Sequence, residues 1–415
     1  MIDPANNLDE VCDILIDNGK ISKVAKNIRN GADETIDAGG KIVMPGLVDM
    51  HVHLREPGRE DKETVATGTY AAAHGGVVSV LAMPNTAPAM DCEDSVALLK
   101  EIIKKDAKNN VFICGAITRE RLGKELADIA KLKNAGVVAL SDDGASVDDD
   151  ALMLEALKQA ANLGIAMICH SEDKSLSNAG VVNAGFTATR LGLRGISKES
   201  EYKRVERDIR LAEQAGVKVH IAHVSCKESV EIIREAKKRG VSVTCETAPH
   251  YFALNEEALL NYDPNMKMNP PLRSKADVEA VKKGLIDGTV DAIASDHAPH
   301  TENEKEIEFD RAEFGVVGLE TELAAGISEL IDTGLLEWRE LVKKLSLNPA
   351  KILGVNKGTL SVGADADIAI VDPDKEWIVV KKELLSKSKN SPFLGRKLKG
   401  SVGYTICAGK IVYKG

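Results

Sequence analysis

The stretch from Val48 to His300 alternates short apolar runs with segments of helical periodicity. Eight runs are almost continuously apolar, as parallel strands buried on both faces are; they cover residues 48–54, 77–84, 110–117, 137–144, 165–172, 218–225, 241–250 and 291–300. Segments between them, such as 150–164 and 226–240, have apolar residues three and four positions apart and end in Gly. This alternation predicts an α/β protein with a (β/α)8 TIM-type barrel. The alternative is an open doubly wound sheet, but no GxGxxG turn follows the first run.

Both ends of the chain have a different pattern, in which apolar and polar residues alternate as in antiparallel strands. Residues 11–28 alternate around an Asn-Gly turn, which is typical of a hairpin. The same alternation returns in the tail, at 363–373 and 403–415. We therefore expect a small β-sandwich domain built from residues 1–45 and 355–415, and a barrel domain from 46 to 354.

Charge and composition exclude several classes of function. The formal net charge is −10 and aromatic residues make up 3% of the chain, which argues against binding to nucleic acid or to an anionic membrane. The seven cysteines are dispersed without a CxxC pair, which indicates reduced thiols and a cytoplasmic protein. The polar start predicts no signal peptide, and no apolar run is long enough to span a bilayer.

Two histidines in the first run suggest metal chemistry. Side chains in a strand alternate between its faces, so His51 and His53 point the same way and can hold one ion together. The alternative is a polar pair at a strand end. Three further ligand-type residues, His170, His223 and Asp296, fall near the ends of the fifth, sixth and eighth runs.

Strand ends converge at one mouth of a barrel, where active sites of this fold are built. Imidazoles with carboxylates and no thiolate suit zinc, ahead of manganese, cobalt or iron. Two ions need a bridging anion, and the "SDDG" sequence at 141–144 supplies one carboxylate. Alternation directs only one of Asp142 and Asp143 into the mouth, while the other caps the turn, and the residues alone leave that choice open.

A series of motifs resembles the dihydroorotases of the amidohydrolase superfamily, in the bacterial-type class I. The motifs, in chain order, are "GLVDMHVHLREPG", "AMPNT", "SDDG", "CHSED", "HIAHVS", "TAPHYF", "MNPPLR" and "ASDHAPH". The resemblance implies two zinc ions, one held by His51, His53 and Asp296 and the other by His170 and His223, with Asp143 bridging them. Many relatives bridge with a carboxylated lysine, but residues 137–144 contain no lysine, which is consistent with an aspartate bridge. His220 should face the other side of its strand, and we assign it to packing.

The resemblance also implies a substrate and its binding residues. It assigns substrate contacts to His53, Leu54, Arg55, Asn85, Asn269, His300 and the backbone of Phe314 and Gly315. Arg55 suits a carboxylate, although a surface salt bridge is its alternative, and a turn is the alternative for Asn85. The implied reaction is the reversible cyclisation of N-carbamoyl-L-aspartate to L-dihydroorotate in pyrimidine biosynthesis, with a metal-activated bridging hydroxide and Asp296 as proton shuttle. The charged loop after the eighth run is a candidate lid.

Two rival functions remain open at this point. One is another cyclic amidase, a hydantoinase or allantoinase, which would have a similar metal site. The other is a non-catalytic barrel that assembles with aspartate carbamoyltransferase; such proteins lose metal ligands, and every expected ligand is present here. We expect a small-molecule substrate, and leave self-association and a carbamoyltransferase partner open. The family has a short strand before the segment that begins here at Met1, so the small domain lacks that strand or the start is assigned late.

Overall fold

The computed structural model describes residues 1–29 and 32–415, so residues 30 and 31 of the expected small domain lie outside the described residues. Its main feature is a sheet of eight parallel strands that pair in chain order. The strands are β1 (Leu47–Val52), β2 (Val77–Ala82), β3 (Asn110–Gly115), β4 (Ala139–Leu140), β5 (Ala166–Cys169), β6 (Val219–Ile221), β7 (Val243–Thr247) and β8 (Ala292–Ile293). A parallel bridge between Val52 and His297 joins the first strand to the chain after the last one. The predicted (β/α)8 barrel is therefore confirmed.

The strands are shorter than the apolar runs that predict them. β4 and β8 have two residues each, whereas their runs have eight and ten. Most of the excess lies at the carboxyl ends, where the chain leaves the sheet and the side chains with metal-ligand chemistry are placed. Periodicity detects burial, and these loops are buried like strands although they do not pair like strands.

Helices follow the strands and surround them. The longer ones are Val65–His74, Glu93–Asp106, Asp150–Asn162, Glu199–Ala215, Lys227–Lys238 and Lys275–Asp287. Short helices are Ile129–Asn134, Lys174–Ser177, Phe186–Leu191, Pro249–Ala253, Glu302–Lys305, Glu322–Gly326, Trp338–Val342 and Asn348–Leu353. The predicted helices at 150–164 and 226–240 are both present, and each is followed by a glycine with positive φ, Gly164 at 60° and Gly240 at 83°. The main core packs these helices against the strands.

Both chain ends contribute to a second, antiparallel sheet beside the barrel. It contains the strands Ile42–Pro45, Ile368–Ile378, Lys397–Cys407 and Lys410–Lys414. The predicted hairpin forms a separate pair, Asp13–Asp17 with Lys20–Ala25, and its turn places Asn18 and Gly19 at positive φ. Smaller pairs join Ile2–Asp3 to Leu8–Asp9 and Val182–Asn183 to Gly195–Ile196.

Between two strands of this second sheet, the chain packs against the barrel. Its residues 384–393, which we name the strap, leave the sheet after Ile368–Ile378 and return to it at Lys397. Leu384 and Phe393, at the two ends of the strap, pack into an apolar cluster with Tyr251 and Val316 of the barrel.

Among the described residues, we find no helix that combines the length and the apolar character needed to cross a membrane.

Candidate active site

Six side chains with metal-ligand chemistry meet at the carboxyl ends of the barrel strands, the end that we call the mouth. His51 lies in β1 and His53 directly follows it, while His170 directly follows β5. The others lie two or three residues beyond a strand; they are Asp143, His223 and Asp296. His223 and Asp296 have positive φ values of 35° and 48°, a strained backbone for residues other than glycine. The local chain is therefore turned sharply at the point where these side chains enter the mouth.

The carboxylate of Asp143 lies at the centre of this group. Its Oδ1 is 3.1 Å from His51 Nε2, 3.4 Å from His170 Nδ1 and 3.7 Å from His223 Nε2. Its Oδ2 is 3.4 Å from His53 Nε2. Asp296 Oδ1 lies on the first pair of imidazoles, 3.6 Å from His51 Nε2 and 3.5 Å from His53 Nε2. Oδ1 of Asp143 thus faces three imidazoles, and Oδ2 faces the fourth, so this one carboxylate is near all four histidines.

The neighbouring Asp142 points elsewhere. Its Oδ1 accepts hydrogen bonds from the backbone N–H groups of Ile117 and Thr118, at 2.8 and 3.1 Å. Its Oδ2 accepts from the Thr118 hydroxyl. Asp142 therefore holds the loop after β3, and the two adjacent aspartates have separate surroundings.

The spacing of these side chains fits metal ions. Ligand atoms about 2.1 Å from a tetrahedral zinc lie about 3.4 Å from one another, close to the separations around Asp143. His51 Nε2 is buried and has no aligned hydrogen-bond partner among the described residues, although Asp143 is near. The sets His51–His53–Asp143 and Asp143–His170–His223 each bring their ligand atoms within 4.8 Å of one another. The donors present therefore fit two divalent cations that share Asp143.

Three of the four imidazoles contact a side-chain oxygen through the ring nitrogen that faces away from Asp143. His51 Nδ1 lies 2.8 Å from Glu246 Oε1, and His53 Nδ1 lies 2.8 Å from Asn85 Oδ1. His170 Nε2 lies 3.4 Å from Glu172 Oε2. When each of these oxygens accepts the ring N–H, the opposite nitrogen faces the mouth. For His170 that nitrogen, Nδ1, also lies 2.8 Å from His223 Nε2.

The sequence reasoning did not find Glu246, and it did not find the contact of Glu246 with a second histidine, His220. Glu246 lies in β7 and is 1% exposed, and its Oε2 is 3.2 Å from His220 Nε2. His220 Nδ1 in turn is 2.9 Å from the Thr244 hydroxyl. His220 is thus buried, in agreement with a packing role, but its polar partner connects it to His51. Glu246 is the one charged residue of β7, and an acidic residue inside a predicted buried strand was the signal that could have revealed it.

Charge within the site favours ionised carboxylates. Burial raises the pKa of Asp143, but the surrounding His51, His170 and His223 outweigh it and hold that pKa well below its usual range. Burial likewise opposes ionisation of Asp296, and the imidazoles of His51 and His53 nevertheless lower its pKa to about 2. Both groups are anions at neutral pH, as cation ligands must be.

A cationic cluster adjoins the metal-ligand group. Arg55 has a positive φ of 61°, and its Nη2 lies 3.2 Å from His300 Nε2. The ammonium of Lys62, which the sequence reasoning did not single out, donates to His300 Nδ1 at 3.0 Å. Burial and the charges of Arg55 and Lys62 hold the pKa of His300 well below its ordinary value. The neutral ring then carries its proton on Nε2, so His300 and Arg55 present donors to the same space.

The other expected substrate residues differ in their surroundings. Asn85 Oδ1 is occupied by His53, and Asn269 Nδ2 donates to Glu172 Oε2 at 3.0 Å, so both asparagines also support histidines of the site. The Leu54 side chain is buried in the main core beside Gly68, so a contact with substrate would come from its backbone.

The Phe314–Gly315 segment reaches the same side of the mouth. Gly315 has a φ of 132°, and a Cβ added there would lie 3.0 Å from His300 Nε2. Phe314 lies beneath Lys267, whose Nζ is 4.5 Å from the ring centroid. Gly315 therefore adjoins His300 closely.

His250 is a further buried histidine close to the site. Burial lowers its pKa to about 4, and its Nε2 has no hydrogen-bond partner among the described residues. Its ring packs at 4.2 Å against that of Tyr251. We leave it without a role in the reaction.

Two family models match the chain. A model described as dihydro-orotase-like matches residues 40–229, and a model of the amidohydrolase family matches residues 321–413. The first covers five of the six central residues, namely His51, His53, Asp143, His170 and His223.

Curated relatives match over nearly the whole chain. A dihydroorotase of Elusimicrobium minutum is 54% identical over 411 residues, which cover 99% of this chain and 95% of the relative. A dihydroorotase of Geotalea daltonii is 52% identical over 415 residues and covers 100% of this chain and 97% of the relative. A dihydroorotase of Acetivibrio thermocellus is 49% identical, with 100% and 97% covered.

Solved structures with this fold include cyclic amidases at lower identity. The L-hydantoinase of Arthrobacter aurescens has a TM-score of 0.89 and 28% identity, covering 97% of this chain and 92% of that one. The dihydropyrimidinase of Brevibacillus agri has a TM-score of 0.87 and 25% identity, covering 100% and 93%. Identity is about twice as high to the dihydroorotases as to these hydantoin-type enzymes. With its barrel, its histidine–aspartate centre and full-length identity near one half, the chain belongs to the dihydroorotase family of the amidohydrolases.

Proposed function

We propose that this protein is a dihydroorotase, which interconverts L-dihydroorotate and N-carbamoyl-L-aspartate in pyrimidine biosynthesis. The observation that carries the proposal is the placement of the Arg55–His300 donor pair beside a carboxylate surrounded by four imidazoles. A site of this kind suits a cyclic amide that also carries an anionic group. The full-length identity to curated dihydroorotases supports the same choice of substrate.

The proposed metal ligands fall into two sets that share one residue. His51, His53 and Asp296 would hold one zinc ion, His170 and His223 a second, and Asp143 would bridge them. When bound, zinc supplies a Lewis acid that polarises a carbonyl and makes an attacking water acidic near neutral pH. Glu246, Asn85 and Glu172 orient the rings of His51, His53 and His170, whose opposite nitrogens would hold the ions.

Asp296 is proposed to move the proton. Ring opening breaks the bond between the C4 carbonyl carbon and N3 of dihydroorotate, and the oxygen of water is added to that carbon. The Asp296 carboxylate accepts one proton of the water and delivers it to the departing nitrogen, which becomes the NH2 of the ureido group. In the reverse direction it removes a proton from that nitrogen as the ring closes.

Arg55 and His300 are proposed to select the substrate. Arg55 Nη2 and His300 Nε2 lie 3.2 Å apart, so a substrate carboxylate placed against them can accept a hydrogen bond from both. Asn269 and the backbone at Phe314 and Gly315 would contact the ring. Hydantoin and allantoin lack this carboxylate, so the donor pair favours dihydroorotate over them.

The experiment is a comparison of substrates and variants. Wild-type protein should open the ring of dihydroorotate, and the loss of ultraviolet absorbance of this substrate measures the rate. Its kcat/KM should be at least about 100-fold above that for hydantoin or allantoin. Asp296→Asn should lower kcat by about 10³-fold or more while the protein stays folded. A preference for hydantoin or allantoin would replace this function by that of another cyclic amidase, and an active Asp296→Asn variant would remove the shuttle role.

Several expectations from the sequence remain to be tested. The domain limits 1–45 with 355–415, and 46–354, a cytoplasmic location, self-association and a complex with aspartate carbamoyltransferase all stay predictions. Sedimentation of the purified protein, alone and with the carbamoyltransferase, tests the last two.

A further inference from the structure

The strap connects the second sheet to the substrate side of the barrel mouth through a series of hydrogen bonds. The backbone N–H groups of Leu385 and Ser386 donate to Glu320 at 2.8–3.0 Å. The hydroxyl of Ser388 donates to the carbonyl of Lys62 at 2.7 Å, and Lys62 is the residue that binds His300 Nδ1. The strap therefore reaches the cationic cluster directly.

Asn390 is the strap residue with the most contacts to this region. Its side chain is buried, with 5% of the residue exposed. Its Oδ1 accepts from the backbone N–H of His300 at 3.2 Å. Its Nδ2 donates to the carbonyls of Gly315 at 3.1 Å and Ala298 at 3.4 Å. Its own carbonyl accepts from Val317 N–H at 3.1 Å. The acceptor and both donors of the amide are thus used.

The partners of Asn390 belong to two segments that come very close together. Gly315 lies against Ala298 and His300, and a Cβ at Gly315 would be 2.8 Å from the Ala298 carbonyl oxygen. The Gly315 carbonyl also accepts from Lys305 Nζ at 2.9 Å, so it is held from two sides. The amide of Asn390 spans the gap and sets the distance between the two segments.

We infer that Asn390 is a positioning residue for substrate binding, which places His300 and Gly315 relative to each other from outside the barrel. The inference rests on the proposed function, because His300 and Gly315 are substrate contacts only if the ligand is dihydroorotate. Asn390 touches neither the metal ligands nor the reacting carbonyl among its contacts in the structure. Its loss should therefore weaken substrate binding and leave the metal site intact.

Asn390→Asp removes the two N–H donors of the side chain and keeps its acceptor. The aspartate keeps an acceptor for the His300 N–H but places an anionic oxygen against the Gly315 and Ala298 carbonyls, which repels them. Asn109→Asp is a matched control. Asn109 is also buried, and its Nδ2 also donates to two backbone carbonyls, those of Thr69 at 3.2 Å and Val77 at 2.9 Å. It lies at the amino end of β3, opposite the mouth.

Steady-state kinetics with dihydroorotate, metal analysis and thermal unfolding on the full-length chain decide the question. We expect Asn390→Asp to raise KM about 10- to 50-fold, with kcat within about 3-fold and unchanged metal content. Asn109→Asp should lower the unfolding temperature but leave KM within about 2-fold. Ser388→Ala is a milder change in the strap and should raise KM about 3-fold. It tests the inference even if Asn390→Asp does not fold.

The outcomes separate this inference from the proposed function. An unchanged KM in Asn390→Asp, or in Ser388→Ala if the first variant does not fold, overturns the positioning role. An equal rise of KM in Asn109→Asp also overturns it, because the effect would then be general destabilisation. Absence of dihydroorotate turnover in the metal-loaded wild-type protein rejects the proposed function instead.

Discussion

His51 Nδ1 lies 2.8 Å from Glu246 Oε1, and both residues are 1% exposed. Through this contact the buried carboxylate fixes the ring so that Nε2 faces Asp143. The same carboxylate holds His220 on its other oxygen. A residue in β7 thus determines how a histidine in β1 presents its Nε2 to the mouth.

Glu246→Gln should weaken metal binding. The glutamine keeps the shape but loses the charge that increases the basicity of His51, and such changes cost about 10- to 100-fold in metal affinity. Competition with a chromophoric chelator measures the affinity without relying on turnover. Glu322→Gln is the control, because Glu322 is equally buried and has no hydrogen-bond partner among the described residues. Equal affinity in the Glu246→Gln variant and the wild type would contradict the role assigned to Glu246.

The adjacent aspartates offer a second test. Asp143→Asn should remove at least one zinc equivalent and lower kcat by about 10³-fold or more, since its carboxylate lies within 3.7 Å of all four histidines. Asp142→Asn should keep the metal and lower the unfolding temperature, because it weakens the bonds to Ile117 and Thr118. Elemental analysis and thermal unfolding distinguish the two. Loss of metal in Asp142→Asn with retention in Asp143→Asn would reverse the assignment.

Arg55→Ala should raise KM for dihydroorotate about 100-fold, with a smaller change in kcat, because a charged partner of the substrate carboxylate is lost. Arg59→Ala is the control, since Arg59 pairs with Asp61 and Glu304 and 45% of its side chain is exposed. We expect its KM to stay within about 3-fold of the wild type. A wild-type KM in Arg55→Ala would mean that the carboxylate binds elsewhere.

Glu322 predicts a pH-dependent change in stability. Burial, and then the charges of Asp49 and Glu246, raise its pKa well above the usual range. A carboxyl whose folded-state pKa is raised destabilises the protein as pH rises from its unfolded value towards the folded one. Glu322→Gln should thus gain stability over the wild type by about 1.4 kcal/mol per pH unit in that window. Unfolding temperatures of both proteins at pH 5, 6, 7 and 8 measure this, and a difference independent of pH would contradict it.

The barrel, and the meeting of the six histidine and aspartate side chains at its mouth, were accessible to sequence reasoning because both follow from the order of strands along the chain. Apolar runs locate buried strands, and the topology of a parallel barrel then brings strand ends to one mouth. The residues that orient these side chains could not be predicted from the sequence. Glu246, Lys62 and Asn390 act through contacts with His51 and His300 that are distant in the chain, and no periodicity reports them.

Side-chain direction was a second limit. Alternation could not choose between Asp142 and Asp143, because both follow β4 in a loop where strand geometry no longer applies. Asn85 and Asn269 were assigned to the substrate from resemblance, while the structure shows that each also bonds to a residue of the histidine framework. Such double use of an amide depends on the packed structure and not on residue type.

Metal content combined with turnover tests the central claim most directly, namely that distant histidines and aspartates are gathered around a pair of cations. Purified protein should contain up to two equivalents of a transition metal, lose dihydroorotate turnover after chelation, and regain it when zinc, cobalt or manganese is supplied. Folded protein that binds none of these metals and gains no turnover from any of them would contradict the account.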